Sequence, residues 1–178
     1  MLICAGANEE FEFAKSIGVG LIDSSINLTQ LCLELKPKKL IFIGTCGLYD
    51  NNNKLLEIYT STHAFNIEFS MLNANFYTPI SNEIKNVSCE TKKSYKVNSS
   101  NYICQNKNAS IEFAKIGLEL ENMEAFAVLK VAQKFKLPTI CYLCATNFCD
   151  ENAHKTFLQN HKKAKEKLEI FLKDKNLI

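Results

Sequence analysis

The sequence predicts a single α/β domain over residues 1–178, with a mostly parallel, mixed central sheet flanked by helices. Two observations indicate this class. Residues 40–43 and 139–145 are nearly uninterrupted apolar runs, a pattern typical of strands that are covered on both faces. Segments with helical periodicity precede the second run and follow it, as expected where helices connect parallel strands. The sequence contains no internal repeat, linker or low-complexity segment, so one domain is expected.

In the first third of the chain, apolar patterns predict two strands and a helix. Residues 1–5 are an apolar run that ends at a glycine, which is consistent with a buried first strand. Residues 21–36 are predicted to be a helix that ends before Pro37. Its buried face is formed by positions spaced three and four apart, namely Leu28, Leu31, Cys32 and Leu35. The apolar run at 40–43 then predicts a second buried strand.

The rest of the chain predicts further strands and two helices. Residues 55–60 and 94–97 have strand-like composition, whereas residues 65–86 alternate irregularly and predict no element. A helix before Pro138 is indicated by one apolar face, formed by Val128, Val131, Ala132 and Phe135. A buried strand at 139–145 follows. The tail predicts an amphipathic helix, with Phe157, Ala164, Leu168 and Phe171 on one face.

Composition excludes several classes of protein. Lys and Arg total 21 against 19 acidic residues, for a net charge of +2, so neither nucleic acid nor an anionic membrane is an expected partner. All the basic residues except histidine are lysines. No apolar run is long enough to span a bilayer, and no signal-peptide pattern opens the sequence. The eight cysteines mostly lie in apolar runs, which predicts reduced thiols and a cytoplasmic location.

Polar segments follow the predicted strands, where ligands bind in open α/β sheets. These segments are expected to be loops: 44–47 (Gly-Thr-Cys-Gly), 98–101 (Asn-Ser-Ser-Asn) and 146–150 (Thr-Asn-Phe-Cys-Asp). A fourth segment, 121–125 (Glu-Asn-Met-Glu-Ala), opens the second predicted helix. Taken singly, each is also what an ordinary turn or helix start would contain.

A metal site is not expected from the cysteine spacing. Cys141 and Cys144, with Cys149 and His154, have a spacing that could suggest metal ligands. Residues three apart in a strand, however, point to opposite faces. The prediction is therefore no metal and no cofactor.

Taken in order, these segments resemble the nucleoside phosphorylase family. That family includes purine nucleoside phosphorylases and methylthioadenosine/S-adenosylhomocysteine nucleosidases. Residues 122–125 (Asn-Met-Glu-Ala) are similar to its Glu-Met-Glu-Ala helix start, and residues 135–150 to the following strand and base-recognition loop. Residues 6–10 (Gly-Ala-Asn-Glu-Glu) resemble its Gly-Ala-Met-Glu-Glu turn, and residues 36–47 the strand before its Gly-Ser-Ala-Gly loop. The resemblance is tight over 119–157.

The resemblance implies cleavage of the N-glycosidic bond of a purine nucleoside. Glu124 matches the acid that binds the ribose, where positive charge develops in the transition state, and Met123 would pack beside the sugar. Asn147 matches the residue that contacts the departing base near N7, and an amide there implies a preference for 6-oxopurines. The remaining substrate-binding residues implied are Thr45, which would contact phosphate or water, Gly47 beside it, Tyr102, which would stack on the base, and Asp150, the alternative base contact.

The chain also departs from the family pattern. It is shorter, with strands missing between residues 10 and 18. Phe11 stands where nucleosidases carry the glutamate that activates water, so Glu10 or Glu12 would have to take that role. No arginine is present to hold phosphate. Asn122 replaces the first glutamate of Glu-Met-Glu, and Ser99-Ser100-Asn101 replaces Ser-Gly-Asp.

Three functions therefore remain open at this point. The first is a purine nucleoside-cleaving enzyme that works by phosphorolysis or by hydrolysis. The second is a nucleoside-binding relative that has lost turnover. The third is an α/β interaction module. Because so short a chain is not expected to enclose a nucleoside alone, the resemblance also implies a homo-oligomer in which a neighbouring chain closes part of the site.

Overall fold

The structure, a computed structural model, describes residues 1–74, 76–86, 88–89 and 91–178. Fourteen elements follow one another in these residues, and their bounds are β1 (Leu2–Cys4), β2 (Lys15–Ser16), α1 (Gly20–Leu35), β3 (Leu40–Leu48), β4 (Ile58–Ser61), β5 (His63–Phe65), α2 (Phe69–Leu72), β6 (Glu83–Lys85), β7 (Lys96–Asn98), α3 (Lys107–Lys115), β8 (Leu120–Glu121), α4 (Ala125–Phe135), β9 (Thr139–Phe148) and α5 (Ala153–Asp174).

The nine strands form one mixed sheet centred on β3. Neighbouring strands in the sheet follow the order β2-β1-β3-β8-β7-β5-β6. Strand β3 pairs in addition with β9 along its whole length, and β9 pairs with β4. The long β3–β9 pair is parallel, as are β1–β3 and β7–β8. Strand β4 runs antiparallel to β9, and β8 runs antiparallel to β3. The predicted α/β class, with a mostly parallel mixed sheet, is confirmed.

Helices cover both faces of this sheet because side chains alternate along β3. Leu40 and Phe42 pack with residues of α1 and α4, among them Leu28, Cys32, Val128 and Ala132. Ile41 and Ile43 point the other way and pack with Ala164, Leu168 and Leu172 of α5. Burying apolar side chains on both faces explains why these strands read as continuous apolar runs.

Three predicted helices are observed close to their predicted bounds, but two strands are longer than predicted. The segment 44–47 lies inside β3, and residues 146–148 lie inside β9; the prediction that both are loops was wrong. The pairing of β3 with β9 continues to Leu48 and Phe148, through an irregularity between Cys46 and Gly47. The polar residues of both segments are therefore held by a sheet ladder.

Elsewhere the predicted bounds shift by a few residues. The strand expected at 55–60 is observed as Ile58–Ser61, and the one expected at 94–97 as Lys96–Asn98. Within the predicted helix start at 121–125, Glu121 ends a strand and the helix begins at Ala125. In the described parts of the chain, no helix combines the length and apolar character needed to cross a membrane.

Candidate functional site

A cavity of about 280 Å³ lies beside the C-terminal ends of β1, β3 and β9. Its walls are formed by residues 5–9, 45–47, 121–124 and 146–147, together with side chains from α5 and from the loops before α1 and α3. This is the position at which α/β sheets bind ligands. Three glutamates line the cavity, namely Glu9, Glu121 and Glu124.

Glu124 stands at the N-terminus of α4 with its side chain almost completely buried, 3% of the residue being exposed. Its Oε1 accepts a hydrogen bond of 2.8 Å from the backbone N–H of Gly20, at the start of α1. Burial, followed by the nearby charge of Glu9, raises the pKa of Glu124 to about 7, although hydrogen bonds from Gly20 and Asn122 oppose this rise. The carboxyl group is thus held in place and changes charge near neutral pH.

Glu9 is fixed on the opposite wall by β3. Its carboxyl oxygens accept the backbone N–H of Thr45 at 3.1 Å, and the Thr45 hydroxyl donates to the same carboxyl group. Burial raises the pKa of Glu9, while the hydrogen bonds from Thr45 lower it. The close approach depends on Gly44, because a Cβ at this position would lie 2.7 Å from Glu9 Oε2.

The expectation that Glu10 or Glu12 would supply the first-loop acid was wrong. Both side chains are exposed, and Phe11 is buried in the core against α5. The loop returns toward its own start through a hydrogen bond of 2.9 Å from the N–H of Glu9 to the carbonyl of Gly6. That turn directs Glu9 into the cavity. The sequence contained one indication of this role for Glu9. Gly6 ends the first strand, and residues that follow such a strand end lie at the edge of the sheet where ligands bind.

The N-terminus of α4 rests on two side chains from outside the helix. Ser99 Oγ accepts the N–H of Phe126 at 3.0 Å. Asn122 Oδ1 accepts the N–H groups of Glu124 and Ala125 at 2.9 and 2.8 Å. These bonds satisfy donors that have no partner within the helix. They also fix the backbone that carries Glu124.

Asn147 lines the cavity from the end of β9 and is 6% exposed. Its Oδ1 accepts from the Thr146 hydroxyl at 2.9 Å, and its Nδ2 donates to the carbonyl of Phe148 at 3.1 Å. Gly47 of β3 leaves room for it, since a Cβ there would lie 3.1 Å from Asn147 Nδ2. The amide keeps one N–H and one oxygen lone pair for a ligand.

Glu121 is the third carboxyl group on the wall, and sequence reasoning did not select it. Its Oε1 accepts from the Tyr49 hydroxyl at 3.0 Å, and its Oε2 accepts the N–H of Cys104 at 3.0 Å. The Cys149 thiol also donates to it, at 3.6 Å. Burial raises the pKa of Glu121, and the hydrogen bonds lower it. Three donors on one carboxyl group indicate a fixed structural wall.

The structure brings most of the residues implied by the resemblance to one cavity. Thr45, Gly47, Met123, Glu124 and Asn147 all line it.

Two implied residues lie elsewhere. Tyr102 is 77% exposed and is not part of the cavity wall. Asp150 is also outside the wall and accepts the N–H of Asn152 at 2.8 Å. His154 and Phe157 of α5, by contrast, line the cavity without having been selected for it. Phe157 lies on the predicted apolar face of α5, whereas His154 is an exposed residue that no pattern in the sequence marked for this cavity.

The charge of the cavity is one-sided. Among its lining residues that the structure describes, none is a lysine, and the chain contains no arginine. The described residues also hold no group of three metal-ligating side chains. The cavity is therefore suited to neutral or electropositive groups, and its described wall offers an inorganic phosphate no lysine or arginine side chain.

Comparison with known proteins finds sequence similarity to phosphorylases. The family model described as "Phosphorylase superfamily" matches residues 88–174. A DeoD-type purine nucleoside phosphorylase from Buchnera aphidicola subsp. Schizaphis graminum (strain Sg) is 43% identical over 49 residues, which is 28% of this chain and 21% of the relative. The match thus spans about a fifth of that enzyme's length.

Solved structures of similar shape extend the likeness to nearly the whole chain. A futalosine hydrolase mutant of Helicobacter pylori strain 26695 superposes with a TM-score of 0.76 at 18% identity, over 90% of this chain and 77% of that one. A 5'-methylthioadenosine/S-adenosylhomocysteine nucleosidase from S. pneumoniae, bound to a transition-state inhibitor, gives a TM-score of 0.75 at 10% identity, over 93% of each chain.

The α/β fold of this chain matches that of nucleosidases of known structure. Residues 88–174 carry the sequence of the phosphorylase superfamily, and the nine-stranded sheet with its helices is the fold of the matched nucleosidases. The resemblance to the nucleoside phosphorylase family inferred from the sequence is confirmed.

Proposed function

We propose that this protein hydrolyses the N-glycosidic bond of a purine nucleoside, with water as the nucleophile. One observation carries the choice of hydrolysis over phosphorolysis: the described lining residues of the cavity include three glutamates, of which Glu121 and Glu124 are buried, and no lysine or arginine. A phosphate dianion in such a site would face carboxylates without a lysine or arginine to balance its charge. Water needs no counter-charge, and a carboxylate can accept its proton.

On the sugar side, Glu124 is the residue that stabilises the transition state. Breaking the bond between C1' and the purine nitrogen leaves positive charge on the ribose. A buried carboxylate that accepts the ribose hydroxyls stabilises that charge more strongly than it stabilises the neutral substrate. The hydrogen bond from Gly20 keeps the carboxyl group in place, and its second oxygen remains available for the sugar.

On the nucleophile side, Glu9 is the general base and Thr45 positions the water. The water oxygen forms the new bond to C1', one of its protons goes to Glu9, and the electron pair of the broken bond leaves with the purine. The raised pKa of Glu9, caused by burial, makes it a better proton acceptor than an exposed glutamate. The Thr45 hydroxyl donates to Glu9, so its oxygen can accept a hydrogen bond from the water.

On the base side, Asn147 is the residue that recognises the purine. Its Oδ1 already accepts from Thr146 and one N–H is donated to Phe148, so the remaining N–H can be shared between N7 and O6, the two acceptors of a 6-oxopurine. The matched structures include nucleosidases whose names specify different nucleosides, among them 5'-methylthioadenosine and futalosine. The substrate class proposed here is a 6-oxopurine nucleoside, taken by a cytoplasmic enzyme without a metal or organic cofactor.

Product analysis tests this proposal. Purified protein is incubated with inosine, guanosine, adenosine, 5'-methylthioadenosine and futalosine, with and without inorganic phosphate. We expect free base and free ribose without any requirement for phosphate. Release of ribose 1-phosphate, or a rate that depends on phosphate, would overturn hydrolysis. Tight binding of a nucleoside in calorimetry without base release would instead identify a binding protein that has lost turnover.

A matched pair of variants tests the assignment of the base. Glu9→Gln removes the proton acceptor in the cavity, whereas Glu10→Gln makes the same change one residue later on an exposed side chain. General-base catalysis is worth about 10²–10⁴-fold. We expect kcat to fall by at least 100-fold in the first variant and to stay near the wild-type value in the second. Equal activity in both variants would exclude Glu9 as the base.

A further inference from the structure

The buried side chain of Asn122 joins the two catalytic walls of the cavity. Its Oδ1 accepts the N–H groups of Glu124 and Ala125, at 2.9 and 2.8 Å. Its Nδ2 donates to the backbone carbonyl of Thr45 at 3.0 Å. The same residue therefore caps α4, which carries Glu124, and ties that cap to the strand that carries Thr45 and holds Glu9.

We infer that Asn122 is a positioning residue, which sets the placement of Glu124 relative to the Glu9–Thr45 pair. The inference rests on the proposed function, since it gives this geometry a catalytic purpose. Asn122 does not need to touch the substrate. It acts through the backbone of Thr45 and through the first turn of α4, neither of which can move independently while all three hydrogen bonds are intact.

An amide suits this position better than a carboxylate for two reasons. Of the two groups, only the amide both accepts the two N–H groups and donates to a carbonyl, because an ionised carboxylate has no proton to donate. An amide is also neutral, and the position lies among carboxyl groups: a Cβ at Gly44 would be 2.7 Å from Glu9 Oε2 and 3.8 Å from Asn122 Nδ2. A further charge beside Glu9 and Glu124 would disfavour the ionised form of both.

Serine or aspartate would cap α4 as well as asparagine does, so capping alone does not require an amide. The bond to the Thr45 carbonyl spans 77 positions of sequence and adds nothing to the helix itself. This bond is the observation that points beyond a structural cap. The bond lies at the cavity wall, between Glu124 and the Glu9–Thr45 pair, and the proposed chemistry depends on the distance between these groups.

The experiment compares Asn122→Ala and Asn122→Asp with Asn106→Ala and Asn106→Asp. Asn106 is a matched control, because its Oδ1 caps α3 by accepting the N–H of Ala109 at 3.0 Å and it does not line the cavity. Two quantities are measured on each folded variant: the steady-state constants for nucleoside hydrolysis, and the titration of the Glu124 carboxyl carbon by ¹³C NMR. The Glu124 signal is assigned by its loss in Glu124→Gln.

For Asn122→Ala we expect kcat to fall roughly 100-fold while KM changes by less than about threefold, as misplaced catalytic groups lose rate and retain binding. For Asn122→Asp we expect the Glu124 titration midpoint, and with it the acid limb of kcat/KM, to move up by roughly one pH unit. Both Asn106 variants are expected to match the wild type in kcat and in the titration.

Two outcomes would overturn the inference. One is an Asn122→Asp protein whose Glu124 titrates as in the wild type. The other is an Asn122→Ala protein that unfolds at lower temperature but keeps the wild-type kcat when folded, because this would show a structural cap alone. If the wild type releases base from no nucleoside, the proposed function fails, and the NMR titration still decides whether Asn122 controls Glu124.

Discussion

Glu124 shows how one buried side chain connects chemistry with pH. Its pKa lies near 7 because burial and the charge of Glu9 disfavour the carboxylate, yet the proposed mechanism needs the carboxylate. Activity is therefore expected to fall as pH drops below about 7, and Glu124→Gln should lose at least 100-fold in kcat at pH 8. Steady-state assays from pH 5.5 to 8.5 measure both. A variant with near-normal turnover would refute the ribose assignment.

Glu124 also affects stability, and here the expected pH dependence is opposite to that of activity: activity rises with pH, whereas folding stability falls. Between its ordinary pKa of 4.5 and the folded value of about 7, the native state binds more protons than the unfolded state. Ionising Glu124 therefore costs folding free energy, and stability falls as pH rises through this range. Glu124→Gln removes the cost and should be more stable than the wild type by about 2–3 kcal/mol at pH 8, with little difference at pH 4.

Urea unfolding at the two pH values provides the measurement. Glutamine still offers an oxygen to the Gly20 N–H, so a loss of stability at pH 8 would mean that the carboxylate contributes more by hydrogen bonding than it costs by burial. The charge of Glu9 contributes to the raised pKa, so Glu9→Gln should lower the Glu124 midpoint in the same experiment.

Asn147 predicts the choice of base. Its amide N–H can donate to O6 of inosine or guanosine, whereas it would face the amino group of adenosine. An unpaired polar group typically costs about 1–3 kcal/mol, so the wild type should prefer 6-oxopurines by tenfold or more in kcat/KM. Asn147→Asp should shift the preference toward adenosine, because a carboxyl group can accept from the 6-amino group.

The alternative is that Asp150 contacts the base. Competition assays with inosine and adenosine on Asn147→Asp and Asp150→Asn separate the two assignments. The structure places Asp150 in a turn, where it accepts from Asn152, so Asp150→Asn should leave the ratio of the two rates unchanged. A ratio altered by the Asp150 change and insensitive to the Asn147 change would reverse the assignment.

At the scale of elements, β3 carries the core and the site together. Its first half packs against helices on both faces, and its second half binds Glu9 and leaves room for Asn147 through glycines. Gly44→Ala should displace the Glu9 carboxyl group, whose Oε2 would lie 2.7 Å from the new Cβ. We expect kcat to fall at least tenfold, with a loss of stability of about 1–3 kcal/mol.

A double-mutant cycle measures whether the clash with Glu9 is the cause. Glu9→Ala removes the group that the new methyl would meet. In that background Gly44→Ala should cost less stability than it does in the wild type, and the coupling between neighbours is typically 0.5–3 kcal/mol. Additive losses would show that the methyl disturbs the strand in another way.

The elements that the sequence predicted well are those with local signals. Helix α1 ends at Lys36, which adopts the left-handed conformation before Pro37, and α4 ends in the same way at Lys136 before Pro138. The ends of β3 and β9 were not predictable, because their glycines and asparagine are poor strand formers and stay in the strands through the pairing of β3 with β9. The short strands β5 and β6, which were not predicted, have three residues each, too few for a period to emerge.

The residues of the candidate site also differ in whether a pattern in the sequence predicts them. Thr45, Met123, Glu124 and Asn147 were found because their order along the chain is a pattern, and the structure gathers them at one cavity. Glu9 could not be assigned in advance, since what directs it is a contact with Thr45, 36 positions away. The acids of this loop, Glu9, Glu10 and Glu12, differ in the direction in which the backbone turns each side chain. That direction depends on the tertiary packing of Phe11 against the core.

At the scale of the whole molecule, the cavity opens beside an exposed apolar surface. Val19 and Ile103 line the cavity and are 47% and 52% exposed. Ile22 and Ile26, spaced three and seven positions after Val19 on one side of α1, are 65% and 60% exposed, and Tyr102, next to Ile103 in sequence, is 77% exposed. The two parts are held together, because Asn101 Oδ1 accepts the N–H of Leu21 at 2.9 Å. A contiguous apolar surface of this kind is typical of an interaction site.

We expect this surface to bind a second copy of the chain, which would complete the wall of each cavity. Ile26→Glu places a charge in the proposed interface, and Ile170→Glu is its matched control, since Ile170 is 59% exposed on α5, across the sheet. Sedimentation should show an oligomer for the wild type and for the control, and a monomer for Ile26→Glu. The Ile26 variant should also bind nucleoside more weakly, because its cavity would stay open at Val19 and Ile103. The physical reason for expecting both losses together is that the same side chains serve the interface and the cavity. A wild-type monomer with full turnover would show that one chain suffices to close the site, and an Ile26→Glu oligomer would show that the contact lies on another face.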